Sequence, residues 1–329
     1  MNKVLDLDVF DGMYNLDPSF KSYPYITCYE MSLLSVVKYF NKSISPLMTK
    51  MNFIYKFHGV NEDLVFLSDN PDFEASFDLL KCLGLERKTH EVDEITSMNC
   101  IKECLFNDHP VQFMIDLFYQ KGREYYYNFL HGGHYVIGYG FDDEKKDIYT
   151  IDNVQGYAKY PIKYEEFNTL RGEVQKSPVW EYVNCDDSIV ASEEYDNKMI
   201  DMYCKGIKDQ YNLRKESLHE IDKFIDVFPV CASKEFIVEN MNCILYNKIS
   251  ELCRIVYLRQ FEIYDSRSGN SIEELLRMII DKWKKIHSLL YYKKISNFSG
   301  NDFDMEISCL TEIREIEKEL CELLVKCKR

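Results

Sequence analysis

The chain predicts an α+β domain built on an antiparallel sheet, followed by a separate α-helical bundle. Three observations predict it. Between residues 111 and 183, short runs of Val, Ile, Tyr and Phe are separated by Gly, Asp and Asn, the pattern of strands joined by turns. Helical periodicities come before most of those runs instead of alternating with them, which favours α+β over a parallel sheet. From about residue 199, Gly and Pro almost disappear and apolar residues recur at three-four spacing, as in helices packed on one another. A chain of 329 residues is long for one core and comfortable for two. The acidic, polar stretch Cys185–Asp196 is the expected linker, giving domains 1–198 and 199–329.

Taken in order, residues 1–20 read as extended and irregular, with Pro18 in a loop. Thr27 is an expected N-cap for a helix over Tyr29–Phe40, and Glu30, three residues later, completes a capping box. Pro46 prevents continuation beyond Asn41–Ser45. Cys28 therefore stands at the first turn of a largely buried helix. Residues 47–60 and 73–84 read as helices, Thr89–Val92 as a short strand, and 95–107 as an amphipathic helix. Val111–Asp116 reads as a strand and 119–131 as a Tyr-rich loop. His134 opens an alternating run to Tyr139, Gly140–Asp147 is a turn, and Ile148–Ile151 is a second strand with Asp152 at its end. That is an antiparallel hairpin. Tyr160–Lys163 and Val179–Val183 are further strands, with a short helix over Tyr164–Leu170. Beyond residue 199, about four helices are expected, with breaks at Pro229, Ser266–Asn270 and Asn297–Asp302.

Forty Lys and Arg against 55 Asp and Glu give a net charge of −15. Phosphate binding needs a basic surface, so nucleic acid is excluded as a partner, and an anionic membrane surface likewise. A cationic partner such as a polyamine or aminosugar suits this balance. No window approaches the roughly 18 uninterrupted apolar residues of a membrane span. The first residues lack a signal-peptide pattern, and the twelve cysteines are scattered without a disulfide framework. The cytoplasm is the expected location.

The chemistry converges on three residues. Cys28, at a helix N-terminus, meets the positive end of the helix dipole, which favours the reactive thiolate. A single cysteine is more often a small buried apolar residue. Here the combination matters: a capped helix start, then a Gly-Gly-His strand, then a strand ending in Asp-Asn. His134 is the expected general base and Asp152 the carboxylate that orients it. His131 competes as base but precedes the Gly-Gly step, where a loop is expected. Asn153 is expected on the opposite face. The Cys28 amide is the first oxyanion donor, with Ser22, Tyr25 and Gln112 open as side-chain donors. Asp116 and Tyr119 are read as lining the cleft, a carboxylate beside aromatics suiting an ammonium group; Tyr25 joins them as a substrate-binding candidate. No Walker loop, dinucleotide fingerprint or zinc-like Cys/His spacing is present, so no bound cofactor or metal is expected.

Together, Cys28 and its helix, His109-Pro110-Val111 to Tyr119, His131-Gly-Gly-His134-Tyr-Val-Ile-Gly-Tyr-Gly to Asp152, and Tyr160-Pro-Ile-Lys-Tyr-Glu-Glu-Phe167 carry a resemblance. As a set they resemble the N-terminal domain of the butirosin biosynthesis protein H family, whose relatives include the amide-forming cysteine-protease homologue of closthioamide biosynthesis. The resemblance spans most of residues 15–175. It implies a papain-like fold and acyl transfer: an acyl group leaves the phosphopantetheine thioester of an acyl or peptidyl carrier protein for a small-molecule amine. It implies Cys28 as nucleophile, His134 as base and Asp152 as its partner. No glutamine stands shortly before Cys28, where papain-type proteases usually carry one. A cysteine peptidase or amidase, and a binding or scaffold protein without catalysis, are the competing expectations.

Overall fold

The computed structural model describes residues 1–10, 28–49, 54–57, 66–69, 80–123, 126–154, 157–232, 237–296 and 303–328. For 28–32, 66–69, 153, 157, 237–243, 246 and 294–295, only the backbone is described. The fold is mixed α+β, with an antiparallel sheet. The chain forms two compact units: Met1–Leu47 with Glu74–Asp196, and Met48–Phe73 with Asn197–Arg329. The expected cut at 198/199 lies close to the second boundary. The expected first domain is corrected in one respect, because 48–73 belongs with the helical unit.

The first unit is organised on a seven-stranded sheet. Its strands are β1 (Asn2–Val4), β4 (Leu85–His90), β5 (Val111–Asp116), β6 (Gly133–Asp142), β7 (Asp147–Asn153), β8 (Tyr157–Lys163) and β9 (Val179–Asn184). β2 (Ile54–Phe57) and β3 (Phe66–Asp69) pair with each other in the second unit. The sheet order is β4-β9-β5-β6-β7-β8, antiparallel throughout, and β1 pairs with β6 beyond the end of β5. At Gly140 a Cβ would lie 2.8 Å from the Lys3 carbonyl oxygen, so this close approach needs glycine. The hairpin β6–β7 has the expected sense, but β6 runs on to Asp142. The alternation of Val and Ile along β5, β6 and β7 buries both faces: Val111, Phe113, Ile115, Val136, Ile137, Ile148 and Ile151 are all fully buried. At roughly 1.5–3 kcal/mol for each such side chain, this core stabilises the sheet, while the short turn between β6 and β7 sets their register.

Beside the sheet lie α1 (Cys28–Tyr39), α2 (Ser45–Met48), α3 (Ser97–Phe106) and α4 (Tyr164–Arg171). Leu33, Leu34, Val36 and Val37 bury one side of α1, and this helix packs against β6. At its last turn, Tyr39 Oη donates to the Asp108 carbonyl. On α3, Ile101 and Leu105 are buried, and the helix lies over β6 and β9. Phe167 of α4 packs its ring 5.7 Å from that of Phe113.

In the second unit the helices are α5 (Glu193–Asp209), whose first turn belongs to the first unit, α6 (Tyr211–Cys231), α7 (Ile237–Leu258), α8 (Ser266–Ile295) and α9 (Asp304–Leu324). The expected helix over 47–60 is corrected: α2 ends at Met48, and Ile54–Phe57 is a strand against α6. Pro229 is not a break, because it sits in the last turn of α6. Ser266–Asn270 is the first part of α8, and the chain turns just before it, where Glu262 adopts φ +53°. Residues 297–302 lie outside the described residues. Lys248 and Glu317 are fully buried and paired at 2.5 Å, with Arg214 and Glu251 completing the network. Among the described residues, no helix is long and apolar enough to cross a membrane.

Candidate active site

The hairpin brings two predicted residues together. Ile137 pairs with Ile151, so Asp152 comes opposite Val136, and the period of two puts the His134 side chain on the same face. His134 Nε2 lies 2.6 Å from Asp152 Oδ1. Their side chains are 13% and 1% exposed, so the bond is shielded from water. The same face carries Phe113 and Val111, which lie opposite Val136 and Gly138, and it is covered by α3 and α4.

Two residues that the sequence reading did not single out complete the cluster. Arg123 Nη2 donates to Asp152 Oδ1 at 2.6 Å, and Gln120 Nε2 donates to Oδ2 at 2.5 Å. Arg123 Nε donates in turn to Gln120 Oε1 at 2.7 Å. Gly122 makes this closure possible with φ +94°, which turns the chain back toward β7. Burial pushes the Asp152 carboxyl up, but His134, Arg123 and Gln120 outweigh it and hold it below the usual carboxylate range. An ionised carboxylate only accepts, so His134 carries its proton on Nε2 and its basic lone pair on Nδ1. Arg123 Nη2 also lies 3.0 Å from His134 Nε2; both are donors, and the shared Asp152 oxygen draws them together.

A second imidazole–carboxylate pair stands beside the first. His131 Nδ1 lies 2.7 Å from Asp116 Oδ2, with side chains 47% and 1% exposed. His131 is in a loop, as expected, but the ring is held by stacking on Phe118 at 4.3 Å between centroids. Asp116 Oδ1 accepts from the amides of Phe118 and Gly132, and Oδ2 from Glu173. Burial raises the Asp116 carboxyl, yet these bonds bring it below its ordinary value. Its expected role against a substrate ammonium is corrected: Asp116 is buried and committed to internal donors. Nearby Gly172 has φ +30°, and a Cβ there would lie 2.4 Å from the Tyr119 ring.

Tyr119 does line a cavity of about 390 Å³, together with Gln120, Tyr127, Tyr160, Glu165 and Glu166. Gln120 connects this cavity to Asp152. Lys121 also lines it and pairs with Glu166 at 3.9 Å, which leaves Glu165 and three tyrosines as the features of the wall that suit a cationic group.

Cys28 is the first residue of α1, and its side chain lies outside what is described, as do Ser22 and Tyr25 altogether. Gln112 is fully buried, accepts from Tyr182 Oη at 2.6 Å, and pairs with Ile137, so it faces the side of the sheet opposite His134, which removes it as an oxyanion donor. The sequence offered no metal-ligand spacing, yet folding brings the ligand atoms of His90, Cys100 and Cys104 within 4.8 Å of one another. Gln120 and Arg123 had no local signal, since a Gln and an Arg in a Tyr-rich loop look like solvated residues. No family model matches the chain, and no curated protein matches it either.

Proposed function

We propose that the chain is a papain-like N-acyltransferase that forms an amide from a carrier-bound thioester and a small cationic amine, through a Cys28 acyl-enzyme. The observation that carries this reading is the shielded His134–Asp152 bond at 2.6 Å, on the strand against which the Cys28 helix packs. The resemblance to the butirosin biosynthesis protein H family supplies the reaction class. The tyrosine-lined cavity beside Gln120, with Glu165 in its wall, supports a cationic acceptor. The cytoplasm, where carrier proteins and free thiols are found, is the proposed setting.

In this reading the Cys28 thiolate adds to the thioester carbonyl, and the tetrahedral intermediate expels the phosphopantetheine sulfur, which leaves as a thiol with the proton held by His134. One thioester replaces another, so no external energy is required. A neutral amine then adds to the acyl-Cys28 carbonyl, His134 Nδ1 takes the amine proton, and Cys28 departs as thiolate or thiol. Asp152 holds the imidazole throughout. Water must be kept from the acyl-enzyme, or hydrolysis competes with amide formation.

The test is intact-mass measurement after exposure of the full chain to acyl-phosphopantetheine thioesters, followed by an amine. The expected result is one acyl adduct on Cys28, discharged by amine into amide and absent in Cys28→Ala. Cleavage of a peptide panel without amide formation would favour a peptidase. No adduct, with Cys28 alkylated by iodoacetamide no faster than the other cysteines, would favour a binding protein and overturn the proposal.

A further inference from the structure

We propose that His90, Cys100, Cys104 and Glu181 form a zinc site at the edge of the sheet, separate from the His134–Asp152 cluster. Cys100 and Cys104 are one turn apart on α3, so both side chains leave the same face of the helix. His90 ends the edge strand β4, which β9 joins to the rest of the sheet. Folding sets these elements so that His90 Nε2, Cys100 Sγ and Cys104 Sγ all lie within 4.8 Å of one another. The spacing can be compared with a bound ion. With bonds near 2.3 Å to sulfur and 2.05 Å to nitrogen, the edges of a tetrahedral zinc site are about 3.8 Å (S–S) and about 3.6 Å (N–S). Cys104 Sγ stands 3.9 Å from His90 Nε2, so closing on an ion needs only small side-chain rotations.

Glu181 lies next to His90 but outside the three atoms within 4.8 Å of one another, and in this proposal it swings in as the fourth ligand. Its Oε2 lies 2.8 Å from His90 Nε2, and its Oε1 lies 2.5 Å from His109 Nδ1. The Glu181 side chain is 8% exposed, so His109 fixes one oxygen and leaves the other against His90. On binding, Zn(II) displaces one proton from each thiol to solvent, and neutral His90 binds through the Nε2 lone pair with its proton carried on Nδ1. His90 and Cys100 are half-buried and Cys104 is buried, which leaves a path for the ion from solvent.

The donor set points to zinc. Two thiolates and an imidazole do not suit calcium or magnesium, which take oxygen ligands. A disulfide is the other fate of paired cysteines, but helical neighbours four apart keep Cβ atoms about 5–6 Å from each other, against about 3.8 Å in a disulfide. Both sulfurs are free thiols here. Glu181 pairs with Val111, and Val111 with Gly138. Two strand spacings and four residues of rise then put this site about 17 Å from His134, too far for a part in proton transfer there. Its effect is to tie α3 to β4 and β9.

The experiment uses the reduced, full-length chain stripped with EDTA and titrated with Zn(II) against a chromophoric chelator, with Co(II) as a spectroscopic stand-in. The expected result is one Zn(II) per chain, and a cobalt complex with tetrahedral d–d bands and thiolate charge transfer. Replacing Cys100 and Cys104 together by Ser should abolish both signals, and Glu181→Gln should weaken binding by roughly 10–100-fold. Cys82→Ser with Cys185→Ser, which removes two exposed thiols, should change neither. Because Cys104 is buried, a second measurement uses the unaltered chain: Zn(II) should protect Cys100 and Cys104 from N-ethylmaleimide in peptide mass analysis. No zinc uptake, uptake that persists without the two cysteines, or no protection of them would overturn the site.

Discussion

Replacing Asp152 by Ala removes the acceptor of three donors at once: His134 Nε2, Arg123 Nη2 and Gln120 Nε2. Arg123 is 14% exposed at the side chain, so the guanidinium left behind is largely cut off from water. Deleting one member of a buried ion pair costs about 3–5 kcal/mol, mainly through the uncompensated charge of the other. We expect that loss in urea unfolding at neutral pH, and for a domain of this size a fall of roughly 6–20 °C in Tm. The double variant Asp152→Ala with Arg123→Met removes the stranded charge as well. It should recover about 1–3 kcal/mol of the loss. A cost under about 1 kcal/mol for the single variant, the value of an exposed pair, would refute the buried cluster. So would a double variant no more stable than Asp152→Ala alone.

Three further outcomes follow from the same geometry. His134→Ala should lower acyl transfer by roughly 10²–10⁴-fold, and His131→Ala by far less; equal losses in kcat would move the base to the His131–Asp116 pair. Arg123→Gln should shift the acid limb of the pH–rate profile upward, because it removes a positive charge 3.0 Å from His134 Nε2; an unmoved profile would separate Arg123 from the base. Acid should weaken both units. Burial raises the carboxyls of Asp152 and Glu251, but Asp152's partners and the Arg214 and Lys248 charges at Glu251 leave both depressed, Glu251 to about 2. A depressed carboxyl contributes stability above its unfolded value, near 3.9–4.3, and loses it as pH falls through the folded value. Circular dichroism between about pH 4 and pH 2 should therefore show falling stability, and a flat profile would count against these pairs being ionised.

What could be read in the sequence is what is local. Val111–Asp116 is an apolar run bounded by Pro110 and a 3-10 turn, and its limits are as expected. The His134–Asp152 pair was legible because both residues sit on one hairpin, whose register needs only the short turn between its strands. Ile54–Phe57 was not, because a four-residue apolar run fits a helix or a strand equally well. Its choice is made by pairing with Phe66–Asp69 and by α6, where the Phe57 amide donates to Glu220, 163 positions away. The zinc ligands were hidden for the same reason. Their linear spacing matches no short motif, and only the sheet edge, α3 and β9 together make them neighbours.

Arg123 bears on what kind of base His134 is. A lone carboxylate beside an imidazole favours the charged ring. Here one Asp152 oxygen serves both His134 and a guanidinium that is always ionised, so the arginine opposes a second positive charge on the ring. For proteolysis a guanidinium opposing charge on the base would be a handicap, since a pre-formed thiolate–imidazolium pair speeds the first attack on an amide. On the proposed reaction it is not, because a thioester is the more reactive acyl donor and the demanding proton belongs to the acceptor. An amine drawn to a wall bearing Glu165 arrives as ammonium and must shed a proton before it can attack. His134, with Nε2 committed to Asp152, has Nδ1 left to accept one.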